Sequence, residues 1–525
     1  MYQTARVLFA LLLSASIVRP ANCQQPAEEP IAPLRAPFPM ADLTRPVFSD
    51  RAFDIRSFGA VEGGVVKNTA AIRKTIEAAA VAGGGRVVIP PGIWLTGPIH
   101  LDNNINLVVS TGAEVRFSQD VNDYLPVVFS RHEDTECYKY SAFIYANGKK
   151  NIAVTGGGVL NGQGRPWWTF KQSRKAAEAL VIDMGNRNVP VEERIFDGRD
   201  GRELRPAFFQ PMNCVNVLVE NVTFRYGAFW TITPTYCENV IVRRVTVKTV
   251  GEEGHAPNGD GVDPSSCRNV LIEQCTFDTG DDCIAIKAGR DRDGLRVGRP
   301  TENVVVRNCV GLSGHGGVVI GSETSGGIRN VYATDCTFNG TDRIVRIKTA
   351  RGRGGILENM WFDHLRADTI QYEAIHLNML YTGTRLPAQP IGPATPMIRN
   401  IHVTDVSCAY GKSYALEILG LPERTVENVT FRSLRMRSAQ GVHIVDADSI
   451  ALTDLDVRPE QGPVVDLDAA RNVMIDSLGV PPGADPLIRV AGNSSDIVVT
   501  RTDIRAAKSV LKTAGDVPAG AVKFQ

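Results

Sequence analysis

The sequence predicts an all-β protein whose strands wind into a right-handed parallel β-helix, with one helix closing the N-terminal end of its core. Two observations predict this fold: a motif that recurs along most of the chain, and a period-two alternation of apolar residues inside each copy. A third observation, an Ala-rich early segment with helical spacing, predicts the capping helix. One unit of this size cannot bury its own apolar face, so neighbouring units must stack.

The repeated motif begins with a polar residue, usually asparagine, followed by alternating aliphatic residues and a short polar turn. Asn269-Val-Leu-Ile-Glu-Gln-Cys-Thr-Phe and Asn330-Val-Tyr-Ala-Thr-Asp-Cys-Thr-Phe are two of its copies. From Asn216 onward most copies are about 21 to 34 residues apart, which is the period of solenoids. We predict that this first residue is a turn residue, stacked in a ladder, at Asn104, Asn151, Asn216, Asn239, Asn269, Asn303, Asn330, Asn359, Asn400, Asn428, Ser449, Asn472 and Asp496.

The composition of the units distinguishes between types of solenoid. Leucine-rich repeats need a dense leucine framework, and helical repeats need apolar residues with a 3.6-residue period. These units instead contain many β-branched residues, and their apolar residues alternate with a period of two. A parallel β-helix, whose coils pair at about 4.8 Å, is the solenoid that fits. The Ala-rich run from Thr69 to Ala82, with Ile72 and Ile76 on one face, Asn68 or Thr69 as its cap and Gly83 as its end, is predicted to cover the open strand edges.

The first residues have the composition of an export signal. Arg6 precedes an apolar run from Val7 to Val18, and Ala21-Asn22-Cys23 offers a small-x-small cleavage site. The run is shorter than the roughly 20 apolar residues that span a bilayer, so we expect residues 1–23 to be a signal peptide. The mature protein is then expected to be secreted or periplasmic.

Beyond the signal, residues 24–50 are rich in proline and polar residues and are predicted to be a linker, and residues 51–525 a single β-helix domain. Two stretches interrupt the repeats, from Phe129 to Tyr145 and from Gly164 to Gln210. Insertions of this kind in solenoids map to loops on one face, often the binding face. The pair Trp167-Trp168 in the second stretch is interpreted either as a stacking surface for sugar rings or as packing of the inserted loop.

Charge and cysteine content limit the classes of partner. Lys+Arg and Asp+Glu each number 57, which disfavours a nucleic-acid binder because such proteins usually carry a basic excess. The balance gives no reason to expect a membrane surface as partner, and the oligomeric state stays open. If Cys23 leaves with the signal, nine cysteines remain. We expect most of them to be small buried residues stacked in the core, with one or two disulfides left open.

Four short motifs carry the side chains that could do chemistry. Asp281 follows Asp260 by 21 residues, His315 follows Asp281 by 34, and Arg346 follows His315 by 31, which is about one coil each time. Residues one coil apart in a β-helix lie nearly above one another, so these side chains are predicted to share one stripe. The motifs are Asn258-Gly-Asp260-Gly-Val-Asp263, Gly280-Asp281-Asp282, Gly314-His315-Gly316 and Arg346-Ile-Lys348.

This set of residue types suits the hydrolysis of a glycosidic bond. That reaction needs one protonated carboxyl to donate to the leaving oxygen and another carboxylate to activate water. Crowded like charges raise the pKa of at least one carboxyl, which keeps an acid protonated near the working pH. Strand alternation sends Arg346 and Lys348 to the same face. Asp281 and Asp282 are adjacent, so both reach a cleft only at a turn or strand end, where we expect Gly280 to supply conformational freedom.

The ordered motifs resemble the signatures of the polygalacturonase family of pectin glycosidases, glycoside hydrolase family 28, from about Phe53 to the last repeats. Those signatures are Asn-Thr-Asp, Gly-Asp-Asp, Gly-His-Gly and Arg-Ile-Lys. One position departs, because Gly259 replaces the threonine. The resemblance implies a pectin-lyase-like solenoid that hydrolyses α-1,4-galacturonosyl linkages of pectin or oligogalacturonides with inversion, and it implies no cofactor and no metal.

The resemblance also implies a role for each site residue. Asp281 is the general acid, while Asp260 and Asp282 hold the attacking water and deprotonate it. His315 hydrogen-bonds to the acid and tunes it. The substrate is bound, by the same resemblance, through Arg346, Lys348, Asn258 and Tyr381.

Several functions stay open at this point. The segment Glu136-Cys-Tyr-Lys-Tyr-Ser141 and the insertion from Gly164 to Gln210 are similar to bacterial exo-acting members, which favours exo over endo action. A hydrolase of rhamnogalacturonan or substituted galacturonan is a rival within the same chemistry. A pectate lyase would use calcium-binding carboxylates and would release unsaturated products. A non-catalytic polysaccharide-binding solenoid would bind without releasing reducing ends.

Overall fold

The computed structural model describes residues 30–173, 175–381 and 383–525. Residues 33–525 form one unit, a right-handed parallel β-helix, so the predicted fold class is confirmed. The predicted signal peptide, residues 1–23, lies outside the described residues. In the described part of the chain, none of the helices combines the length and the apolar composition that a bilayer crossing requires.

Three stacks of parallel strands form the faces of the solenoid. The first contains Ala52–Asp54, Gly85–Ile89, Ile105–Val109, Lys150–Gly156, Val215–Glu220, Glu238–Arg243, Arg268–Glu273, Thr301–Arg307, Ile328–Thr334, Ser495–Thr500 and Val522–Phe524. The second contains Gly92–Thr96, Ala113–Phe117, Val159–Asn161, Thr223–Arg225, Thr246–Lys248, Thr276–Asp278, Val310–Ser313 and Thr337–Phe338. The third contains Ile99–His100, Ile144–Asn147, Phe209–Met212, Ile284–Ile286, Val318–Ile320, Val345–Lys348, Ile375–Asn378, Ile488–Ala491 and Leu511–Thr513.

Four long strands turn the corners between faces and so belong to more than one stack. They are Ile356–Ile370, Met397–Leu419, Val426–Pro459 and Val465–Leu478. The described α-helices are Thr69–Val81, Arg165–Ser173, Lys175–Asn186 and Asp291–Val297. Short 3-10 turns lie at Ile55–Phe58, Val121–Tyr124, Val191–Glu193, Arg199–Gly201 and Ile504–Ala506.

The predicted ladder of turn residues is present along the solenoid. All thirteen predicted positions have a positive φ, between 52° and 59°, a backbone conformation that asparagine tolerates better than most residues. Within the ladder, the Nδ2 of Asn269 donates to Oδ1 of Asn239 at 3.2 Å, and Asn303 donates to Asn269 at 3.0 Å. Each such asparagine therefore turns the chain and bonds the coils on both sides.

The core is built from aligned rows of inward-facing apolar residues. One row runs through five coils in register, and all of its side chains are fully buried: Val219, Val242, Ile272, Val306 and Ala333. Because each coil repeats the same inward pattern, one continuous core extends along the chain. The nine cysteines of the described residues are all buried free thiols, several of them stacked on each other, such as Cys237 on Cys267.

The helix Thr69–Val81 covers the N-terminal end of this core, with Ile72 and Ile76 buried, as predicted. The capping differs from expectation, because the side chain of Asn68 makes no capping hydrogen bond. It bonds the preceding loop instead, accepting from Val61 N–H at 2.7 Å.

The proline-rich segment before the first coil lies along the β-helix from residue 33 onward. Arg45 pairs with Glu220 at 2.7 Å, and the rings of Phe38 and Trp361 lie 5.8 Å apart. Residues of the predicted linker are thus held against the first face by an ion pair and an aromatic contact.

The two predicted interruptions fold into an outer layer beside the third face. Val128–His132 and Thr135–Lys139 form an antiparallel hairpin, and Ile195–Phe196 adds a third strand beside Tyr138 and Lys139. Trp167 is 1% exposed and packs in the core, and Trp168 donates from Nε1 to Gly227 O at 3.0 Å. Of the two interpretations of this tryptophan pair, packing of the loop is the one that describes Trp167.

The ladder yields a stability prediction. Asn269→Ala removes two hydrogen bonds, at about 1 kcal/mol each, and forces a Cβ-bearing residue to keep the left-handed conformation at about 1 kcal/mol more. We expect urea unfolding to show a loss of about 2–3 kcal/mol. Glycine adopts the left-handed conformation without strain, so Asn269→Gly should lose about 1 kcal/mol less unfolding free energy than Asn269→Ala. Equal stability of the alanine and glycine variants would contradict a role for the positive φ.

Candidate active site

Three aspartates from two neighbouring coils converge on the third face. One carboxylate oxygen from each of Asp260, Asp281 and Asp282 lies within 4.8 Å of the others. The coils are held in register by a bridge between Val262 and Ile284, and the Gly261 N–H donates to Asp282 O at 3.0 Å. Asp281 and Asp282 occupy the turn immediately before the strand that begins at Ile284, as predicted for two adjacent residues that both reach a cleft.

Two buried lysines neutralise part of this negative charge. Lys348 Nζ lies 2.7 Å from Asp282 Oδ2, and Lys287 Nζ lies 3.7 Å from Asp260 Oδ2. Lys287 also contacts Glu323 at 3.2 Å. Burial alone would lower the pKa of Lys287, but the carboxylates around it, Glu323 first, raise that pKa well above its ordinary value. The site thus holds fixed positive charges among carboxylates with little solvent.

His315 pairs with the most exposed of the three aspartates. Its Nδ1 lies 3.0 Å from Asp281 Oδ1, and this hydrogen bond raises the pKa of His315. The backbone brings them together, because His315 N–H donates to Asp281 O at 3.1 Å. The flanking glycines make the approach possible: a Cβ on Gly314 would lie 2.7 Å from Asp281 O, and one on Gly316 would lie 2.4 Å from Val319 Cγ2.

The surroundings of the aspartates shift their pKa values in different directions. Burial, and then the charge of Asp281, raise the pKa of Asp260 well above its ordinary value. Burial also acts to raise the pKa of Asp281, but the bond from His315 and the nearby lysines outweigh it and bring that pKa below its ordinary value. These surroundings therefore favour a proton on Asp260 over one on Asp281.

The predicted substrate-binding residues border the aspartates. Arg346 is in register with Val319 on one side and His376 on the other, and its Nε has no hydrogen-bond partner among the described residues. Lys348 Nζ is 5.9 Å from the centre of the Tyr381 ring. Asn258 Oδ1 accepts from Arg205 Nη2 at 2.8 Å. All eight predicted site residues thus lie in the three-aspartate cluster, in the coils beside it, or in the loop that leads to Asp260.

Sequence reasoning missed several residues of the site. Lys287 is 3% exposed and lies 4.2 Å from the centre of the Trp230 ring. Glu323, which pairs with it, follows a coil later in a loop without a recognisable motif. Arg205 comes from the inserted segment and also binds Pro257 O at 2.7 Å. Of these three residues, only Lys287 had a signal in the sequence: strand alternation places its side chain on the same face as that of Lys348.

Gly280 has a different role from the predicted one. Its backbone is not in the left-handed region, so conformational freedom is not what it supplies. A Cβ at this position would lie 2.3 Å from Ala256 O, and the His255 Nε2 lies 2.7 Å from Gly280 O. The glycine is needed because the loop before Asp260 packs directly against the turn that carries Asp281.

Comparison with known proteins agrees with this geometry. Residues 196–457 match the model of glycosyl hydrolases family 28. A hyperthermoactive exopolygalacturonase from Thermotoga maritima has a solved structure that is 37% identical, with a TM-score of 0.69, and the match covers 79% of this chain and 90% of that one. The chain belongs to glycosyl hydrolases family 28. It is therefore a glycoside hydrolase, and the predicted family is confirmed.

Other family members that resemble the chain include both modes of action. An exo-poly-alpha-D-galacturonosidase of Dickeya chrysanthemi is 25% identical over 82% of this chain and 75% of its own length. An endo-polygalacturonase of Pectobacterium carotovorum subsp. carotovorum is 26% identical over 52% of this chain and 62% of its own length. The family 28 match includes the coils that carry the three aspartates, His315 and Arg346.

The fully buried Asp263 yields a prediction about stability and pH. Neither of its oxygens has a hydrogen-bond partner among the described residues, and burial, followed by the charge of Asp260, raises its pKa well above the ordinary value. The folded state therefore keeps a proton that the unfolded state loses near pH 4, so stability falls as pH rises above that value.

We expect Asp263→Asn to remove this dependence. Relative to wild type, its free energy of unfolding should rise with pH above about 4 by at most about 1.4 kcal/mol per unit. Urea unfolding at pH 4, 5.5 and 7 measures it. Asp456→Asn, in an exposed pair with Arg458, is the matched control. A constant difference between Asp263→Asn and wild type at all three pH values would contradict the prediction.

Proposed function

We propose that this family 28 hydrolase cleaves α-1,4-galacturonosyl linkages of pectin and polygalacturonate, that it acts from a chain end, and that it inverts the anomeric carbon. The observation that supports this best is the three-aspartate cluster with Arg346 two coils further along the same face, whose Nε has no hydrogen-bond partner in the described part of the chain. An acid, a base and a fixed cation together suit a glycoside whose sugar carries a carboxylate.

In this mechanism the shared proton moves before the bond breaks. The substrate covers Asp281, the most exposed of the aspartates, with a side-chain exposure of 18%. Loss of solvent raises the pKa of Asp281, so the proton passes from Asp260 to Asp281. Asp281 then donates it to the leaving oxygen, while Asp260, which has lost its proton, and Asp282 hold a water and take its proton as that water attacks the anomeric carbon.

The fixed cations have separate tasks. Lys348 lies 2.7 Å from Asp282 and offsets the charge of that buried carboxylate, which is placed to act on water. Arg346 has donors to offer, and a guanidinium matches a carboxylate through two parallel hydrogen bonds. We assign it the galacturonate carboxylate. Lys348, beside Asp282, supplies a second positive charge near the same carboxylate.

Exo action is supported by where the outer layer contacts the catalytic loop. Arg205, from the insertion, binds Asn258 and Pro257, which lie two and three residues before Asp260 in the chain. The hairpin supports Arg205 in turn, because Lys139 Nζ donates to Arg205 O at 3.0 Å. These segments come before the coil of Asp260 in the solenoid, whereas Arg346 comes after it, which supports a binding site that is closed at one end and takes a chain end.

Export to the periplasm or the medium is part of the same proposal. It is supported by the apolar run from Val7 to Val18 after Arg6, and by a substrate that is a polymer outside the cell.

Product analysis tests the proposed function. Wild type and Asp281→Asn are incubated with polygalacturonic acid and a chelator. We expect saturated galacturonate monomer from the earliest times with a slow fall in viscosity, and a loss of kcat of about a hundredfold to ten-thousandfold in the variant, because the acid can no longer donate. Asp456→Asn makes the same chemical change on the solvent-exposed surface and should keep full activity.

Each other outcome contradicts a named part of the proposal. A rapid drop in viscosity at low conversion would mean endo action. Unsaturated, ultraviolet-absorbing products would mean a lyase. Absence of product with wild type would exclude this substrate.

A further inference from the structure

A second cluster of potential ligands lies on the third face, beyond the proposed catalytic residues. Glu373, His376 and Glu417 each place one oxygen or nitrogen within 4.8 Å of the other two, and all three side chains are buried. Strand pairing explains the arrangement, because His376 is in register with Arg346 in the preceding coil and with Glu417 in the following coil.

His376 is unusual within this cluster. The residue is 6% exposed, yet neither ring nitrogen has a hydrogen-bond partner among the described residues. Nε2 lies 3.1 Å from Glu417 Oε2 and Nδ1 lies 3.5 Å from Glu373 Oε2, so carboxylates are close without being aligned for a hydrogen bond. Two ligands of one small cation show this kind of spacing, since donors bound at about 2.0–2.2 Å lie roughly 3 Å apart.

Both carboxylates are held in place by outer partners. Glu373 accepts from Arg343 Nε at 2.9 Å and from Ser413 Oγ at 3.1 Å. Glu417 contacts His443 Nδ1 at 3.1 Å, and Tyr414 stacks on that imidazole with ring centres 5.0 Å apart. Such outer contacts are what orient the ligands of protein metal sites.

We propose that Glu373, His376 and Glu417 bind a divalent transition cation, with Zn²⁺ as the best match. One imidazole and two carboxylates with a remaining position for water is a ligand set of Zn²⁺, whereas Ca²⁺ prefers six or more oxygens. The bound ion cross-links consecutive coils and neutralises the two buried carboxylates.

Calorimetric titration of the untagged, chelator-treated full chain tests the site. We expect one equivalent of Zn²⁺ to bind wild type, with no comparable binding of Ca²⁺. His376→Ala and Glu417→Gln should each weaken Zn²⁺ binding by about tenfold or more. Zn²⁺ should also raise the Tm of wild type and leave the Tm of both variants unchanged. Glu417→Gln keeps the side-chain size, so it serves if His376→Ala does not fold.

Two controls separate this site from other places where Zn²⁺ could bind. His364 lies between Asp363 and Asp405 but is exposed on the surface, and His364→Ala should bind Zn²⁺ like wild type. Asp281→Asn reports on the catalytic cluster, the other group of close carboxylates, and should also bind like wild type. Unchanged binding in both cluster variants, no binding by wild type, or loss of binding only in Asp281→Asn would overturn the proposal. The titration contains no sugar, so its result is independent of the proposed function.

Discussion

The stacking of consecutive coils in register, at the spacing of paired β-strands, is the constraint on which the rest of this structure depends. It fixes the rows of the core, because an apolar residue in one coil lies against its counterpart in the next. The same register fixes the rows outside the core. Asp260 and Asp282 lie in adjacent coils, and Arg346 follows two coils after the Ile284–Ile286 strand. Side chains far apart in sequence are thus placed within a few ångströms by backbone hydrogen bonds alone.

Burying several carboxylates on one face of the β-helix costs folding free energy, and neighbouring cationic side chains offset part of that cost. Asp260 is buried, its Oδ1 has no hydrogen-bond partner among the described residues, and burial and then the charge of Asp281 raise its pKa. Lys348 stabilises Asp282 from 2.7 Å. Lys287 places a positive charge between the carboxylates of Asp260 and Glu323. Active sites hold groups in such unfavourable surroundings because a displaced pKa is what acid and base catalysis require. The cluster is therefore destabilising for the fold and useful for chemistry.

The sequence predicted the features that short repeated motifs mark, and it missed the features that depend on contacts between distant segments. The ladder asparagines were predictable because each sits at the start of its own unit, and all have the positive φ of that turn. The stripe of candidate site residues was predictable because four short motifs are spaced by about one coil. Glu323 and Arg205 were not, since they reach the site from a loop and from an insertion whose path no periodicity describes. Gly280 was predicted to supply conformational freedom, but it is needed because Ala256 O packs closely against it. That contact joins residues far apart in the chain, so the local sequence could not show it.

The central claim is that two of the three aspartates hold a water against the anomeric carbon while the third protonates the leaving oxygen. The short spacing within the cluster, 4.8 Å or less, is below the roughly 6.5–9.5 Å that inverting enzymes usually show, so stereochemistry is the decisive test. Proton NMR of the first galacturonate released from α-linked polygalacturonate, recorded before mutarotation, measures it directly. The account predicts the β anomer. The α anomer as the first product would mean that an aspartate attacks the sugar itself and would contradict the account.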